Sequence, residues 1–120
     1  MKLVLAMNPL LMLIFATMPT AVLAQYADWR HHGTLVLLTT PDGADLPESA
    51  RVEAFPILVR LDKETFPFRQ CSPDGSDIRF SIDGQPLAYQ IEQWNAVDGK
   101  ASVWVRIPVI RGNARQVLTM

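Results

Sequence analysis

The chain has 120 residues, 49% of them apolar, with 11 basic and 12 acidic residues and a formal net charge of −1. That balance excludes the dense positive surface by which proteins hold nucleic acid or an anionic membrane. A single cysteine, Cys71, excludes an internal disulfide.

The first element is a leader. Met1 and Lys2 make a positive start, residues 3–18 are mostly apolar but broken by Asn8 and Pro9, and Pro19 precedes the small-residue end Ala21-Val22-Leu23-Ala24. Such an end suits signal peptidase, so cleavage is expected after Ala24, leaving residues 25–120 as one exported domain, periplasmic, cell-surface or extracellular. The interrupted run is short for a membrane span of about 20 apolar residues. No cysteine follows it directly, which argues against a lipid anchor. Without Lys2, 10 basic residues remain against 12 acidic ones.

The mature chain opens on YADWRHHG (residues 26–33), with Asp28, His31 and His32. Adjacent histidines on a strand point to opposite faces, so they chelate poorly, and no metal is expected. Tyr26 and Trp29 read as packing anchors. TLVLLTT (residues 34–40) has strand character and is closed by the turn Pro41-Asp42-Gly43. Residues 44–54 are polar enough for a loop with room for one helical turn. FPILVRL (residues 55–61) reads as a second strand, with Pro56 near its start, where a missing donor is tolerated. The connection over residues 62–75 is punctuated by Pro67, Pro73 and Gly75, and within it Phe66 and Phe68 are expected to plug the end of the core. Cys71, followed by Ser72 and Pro73, has no neighbouring base in sequence and reads as inert.

SDIRFSIDGQPLAYQIEQW (residues 76–94) alternates as a hairpin around Asp83-Gly84, the dipeptide of a type I′ turn. That register sets Phe80 opposite Leu87 and Ile78 opposite Tyr89, with Ile82 and Ile91 continuing the same face. After a turn at residues 95–99, KASVWVRIP pairs Val103 with Ile91, Val105 with Tyr89 and Ile107 with Leu87, and ends at Pro108. The outcome is a three-stranded meander. RQVLTM (residues 115–120) either continues this sheet or joins a second one. Its alternation is still running at Met120, so a longer protein is expected. With no helical period anywhere, the fold class is all-β: an antiparallel β-sandwich, jelly-roll-like or Ig-like, incomplete at its C-terminal end.

The opposite face of the meander carries Asp77, Arg79, Gln90, Glu92, Trp94, Trp104 and Arg106. Indoles among carboxylate, guanidinium and amide groups can stack on sugar rings while the polar neighbours bind hydroxyls. Trp and Arg are also favoured anchors of protein interfaces. The third reading is structural: both tryptophans covered by a loop, a second sheet or a following domain, with the charges as a satisfied polar cluster. Asp77 and Glu92 resemble a glycosidase pair only in number, since Arg79 is close enough to neutralise one of them. No nucleophile elbow and no phosphate-cradling glycine loop occurs. Neither catalysis nor a cofactor is expected.

Three segments, DGSDIRF, LAYQIEQW and VWVRIPVI, together resemble the bacterial family DUF2341, a domain of unknown function. The matching residues are Gly75, Asp77, Ile78, Arg79 and Phe80, then Leu87, Tyr89, Ile91, Glu92 and Trp94, then Trp104, Val105, Ile107 and Pro108. DWRHHGTLVL, with Trp29 and Arg30, is similar to the family's opening strand. The resemblance implies an exported β-sandwich module near the N-terminus of a larger protein. Its neighbours there are a concanavalin-like or laminin-G-like sandwich, or the membrane part of a MotA/TolQ/ExbB-type proton channel. The family's Tyr-x-Gly segment after the strand matching RQVLTM is missing here. The resulting expectation is a non-catalytic recognition or adhesion module for cell-surface glycan or an envelope protein. The alternative is a structural or accessory domain that docks on a following domain, including a periplasmic input domain of such a channel.

Overall fold

The computed structural model describes residues 30–120, so the leader, its cleavage after Ala24, and Tyr26, Asp28 and Trp29 lie outside the described residues. His31–Met120 form one compact unit. Its seven strands are β1 (Thr34–Leu38), β2 (Arg51–Asp62), β3 (Ser81–Ile82), β4 (Gln85–Pro86), β5 (Tyr89–Asn95), β6 (Lys100–Arg111) and β7 (Arg115–Thr119). All neighbours pair antiparallel, in two sheets ordered β2-β6-β5 and β1-β7-β3-β4. The all-β reading and the two-sheet sandwich are therefore correct.

β1 stops at Thr39, which is 2% exposed. Its hydroxyl donates to the Arg111 carbonyl and accepts the Ala114 N–H at 2.9 Å, pinning the end of β1 to the turn between β6 and β7. β2 begins at Arg51, so residues 51–54 are strand and not the loop read from their polarity. Pairing supplies what local composition lacked: Arg51, Val52 and Glu53 lie opposite Arg111, Ile110 and Val109 of β6. β6 itself runs through Pro108, where the sequence placed its end. Past Arg106, whose N–H reaches the Ala88 carbonyl at 2.9 Å, β5 no longer accompanies β6. The proline therefore lies where β6 has a ladder on one side only, and that ladder skips the step between Pro108 and Ala54, whose φ is 51°.

The turn at Asp83-Gly84 is as read, with φ of 49° and 75°. Phe80 and Leu87 are in the expected register, the Leu87 N–H donating to the Phe80 carbonyl at 2.8 Å. The hairpin, however, is only two residues deep, and Ile78 and Tyr89 are not ladder partners. Beyond Leu87 the chain leaves β3 and crosses to the other sheet, where β5 pairs with β6 through Tyr89 with Val105 and Ile91 with Val103. No three-stranded meander forms. The cause is geometric: a strand crossing between two sheets keeps its apolar residues toward the same interior, so alternation alone does not distinguish it from a hairpin arm. β7 joins the second sheet as an interior strand, with β1 on one side and β3 on the other. Gly33 and Met120 extend the β1–β7 ladder by two main-chain bonds of 2.8 and 2.9 Å.

The core lies between the sheets. Val103, Val105 and Ile107 of β6, each fully buried, meet Phe80 and Leu118 from the opposite sheet, with Val59 and Leu61 of β2 beside them. Burial of each such side chain stabilises by about 1.5–3 kcal/mol. Phe66 and Phe68 close one end as expected, with ring centroids 4.9 Å apart.

Candidate functional site

The seven residues read as one face occupy three environments. Trp94 is the clearest correction. Between Ile91 and Gln93 the β5–β6 register shifts by one, so Glu92 and Gln93 share Ser102 as partner, and Trp94 falls opposite Ala101, which is buried. One inserted residue reverses the side to which every later side chain points. Trp94 consequently faces the interior, against Phe66 at 5.9 Å and Phe68 at 5.4 Å, both edge-on. Its ring also fills the space over Gly75, where an added Cβ would lie 2.5 Å from two indole carbons. The indole Nε1 is buried and has no hydrogen-bond partner.

Asp77 and Arg79 form the second environment, a half-buried frame in the turn before β3. The Asp77 carboxylate accepts the Ser72 N–H at 2.9 Å. The Arg79 guanidinium donates to the carbonyls of Ser76 and Ile78 at 3.0 and 2.6 Å and to Tyr89 Oη at 2.9 Å, while the Tyr89 hydroxyl donates to the Ile78 carbonyl at 2.7 Å. These bonds fasten the approach to β3 onto the first residue of β5. Cys71 lies nearby, half-buried. Burial first and the Asp77 carboxylate second push its thiol pKa upward, away from the thiolate that nucleophilic chemistry needs.

The third environment is the outer face of the β2-β6-β5 sheet. Trp104, 38% exposed, stands at its centre, between Leu58 of β2 and Gln90 of β5. Two residues away along β6 on the same face are Arg106, opposite Pro56, and Ser102, opposite Arg60. Glu92 and Gln93 flank Ser102 from the β5 side, and Lys100 lies opposite Asp62 at the far end. Arg60, Gln90, Glu92, Gln93, Lys100 and Arg106 are all exposed. Leu58, Arg60, Lys100 and Gln93 were missed from sequence. The first two become neighbours of Trp104 only through the β2–β6 register, which no local pattern announces.

His31 and His32 are both exposed, and no group of three His, Cys, Asp or Glu side chains able to hold a metal ion occurs among the described residues.

A two-sheet all-β module carrying an aromatic-polar outer face is the class defined by this geometry. Residues 74–120 match the family model described as "Domain of unknown function (DUF2341)", so the resemblance read from the three segments stands over that stretch. The match contains every quoted motif residue from Gly75 to Pro108 and leaves out β1 and β2. No curated protein and no solved structure matches the chain.

Proposed function

We propose that the chain is a non-catalytic, exported recognition module that binds a cell-surface glycan through the outer face of the β2-β6-β5 sheet. The observation that carries this reading is Trp104: a large indole left 38% exposed at the centre of that face, ringed by amide, hydroxyl and guanidinium groups. Trp94 takes no part, being committed to the interior. Truncation of a central tryptophan at a binding face costs at least about 2 kcal/mol of affinity, roughly thirtyfold. Trp104→Ala is therefore expected to weaken retention of the protein on isolated envelope polysaccharide by that factor, with unfolding in urea displaced by less than about 1 kcal/mol. A variant that unfolds several kcal/mol earlier makes Trp104 a structural residue and ends this reading.

A second reading, docking on a following domain, including a channel protein's periplasmic part, is favoured by one observation on the opposite sheet. Val36 and Val117 are cross-strand partners and stand 42% and 40% exposed. On this reading a docked domain covers the pair, so replacing both by Thr is expected to leave glycan binding intact but to loosen the longer protein toward protease at the junction.

A further inference from the structure

We propose that the ligand of the Trp104 face is an acidic polysaccharide, a chain of uronic acid residues, held by Arg60 and Arg106 on either side of the indole. This rests on the recognition reading above and adds the chemical class.

The argument is one of charge placement. The chain as a whole is slightly acidic, at −1, yet the face around Trp104 carries Arg60, Lys100 and Arg106. Neither Arg60 nor Arg106 is paired with a carboxylate among the described residues, where the one ion pair joins Arg51 and Glu53 at 3.3 Å. Of the two carboxylates on the same face, Asp62 is turned to its own loop, accepting the N–H groups of Glu64 and Thr65 at 2.9 and 3.1 Å. Glu92 stands on the β5 side of Ser102, a strand further from Arg60. Strand geometry puts the backbone positions of Arg60 and Arg106 about 14 Å apart, with Trp104 between them. That span suits an extended ligand with charges at intervals and an apolar ring face between them. A guanidinium fork matches a carboxylate in two parallel hydrogen bonds.

An acidic peptide also offers carboxylates. The exposed indole favours sugar: Trp104 offers a flat apolar ring for the face of a pyranose, which a polyglutamate lacks, while Gln90, Gln93 and Ser102, which both donate and accept, can bond the hydroxyls beside it.

The test is affinity electrophoresis of the full chain through gels containing polygalacturonate, neutral dextran or neither, at low and at 0.5 M salt. Retardation by polygalacturonate alone is expected, abolished by salt, lost in Trp104→Ala, and reduced at least tenfold in Arg60→Gln with Arg106→Gln. Urea unfolding of that double variant should match the parent, since both side chains are exposed. Retardation by dextran but not polygalacturonate would overturn the acidic class while leaving glycan recognition standing. Retardation by neither would overturn both. Displacement from polygalacturonate by polyglutamate at equal carboxylate concentration would make the partner an acidic protein and overturn the sugar.

Discussion

Gly75 shows how much one hydrogen in place of a methyl group decides. It holds φ of 71°, in the left-handed region, and it lies directly under the Trp94 ring. A side chain there meets two penalties: about 1–2 kcal/mol for the backbone and about 1–3 kcal/mol for forcing an aromatic ring out of a packed core. Gly84 has the same backbone requirement at φ 75° but open space around it. Gly75→Ala is thus expected to lower unfolding stability in urea by about 2–5 kcal/mol, and Gly84→Ala by no more than about half of that. Equal losses would show that Trp94 does not rest on Gly75. The Arg79–Tyr89–Ile78 bonds serve the same region, which gives these motif residues a role in folding before any role in binding.

Among the elements, β5 carries the decisive irregularity. With Glu92 removed, Gln93 takes the place opposite Ser102 without a bulge and Trp94 keeps its partner Ala101; with Glu92 kept but the bulge forbidden, Trp94 would swing outward. The deletion tests whether the strand needs the extra residue for its bend and its exposed edge, whereas Glu92→Ala tests only the carboxylate. Since the deletion keeps Trp94 opposite Ala101 and therefore inward, it is expected to cost no more than about 1 kcal/mol, against less than about 0.5 kcal/mol for Glu92→Ala, an exposed substitution; a loss above about 2 kcal/mol would show that the bend of the bulge itself seats the indole against Phe66 and Phe68. Urea unfolding followed by tryptophan fluorescence compares the two. The same bulge marks the limit of what was legible beforehand. The apolar alternation of β6, the Asp83-Gly84 turn, the Ile91–Val103 register and the aromatic plug were all readable, because each is a local pattern with one physical solution. The site was half readable. Trp104 and Arg106 follow from an unbroken period of two, while Trp94 was assigned to the wrong face because no composition signal announces an inserted residue. Asp77 and Arg79 were placed on a strand because a turn held by side-chain bonds to main-chain carbonyls has no periodicity to betray it.

At the scale of the whole molecule, two exposed loop carboxylates add a small, solvent-screened share of acid sensitivity. A hydrogen bond from the Thr40 side chain holds the Asp42 carboxyl below the ordinary 3.8, and bonds from Ser76, side chain first and main chain second, do the same for Asp74. Both groups have a lower pKa folded than unfolded, so their contribution is complete above about pH 4 and is lost as pH falls through the folded values. The urea midpoint is expected to drop between pH 4 and pH 2, and to drop less steeply when Asp42 and Asp74 are both replaced by Asn; an unchanged slope would mean that neither turn is coupled to global unfolding. The placement of β7 has a different kind of consequence. Its central place in the four-stranded sheet joins Thr34 to Thr119, so the first strand of the described fold waits for the last. A nascent chain that has not yet released Arg115–Thr119 from the ribosome holds β1 without a neighbour and β3 and β4 as a two-residue hairpin, too small to persist in water. The four-stranded sheet therefore assembles only once Arg115–Thr119 has left the ribosome, later than the β2-β6-β5 sheet, whose strands all precede it in the chain.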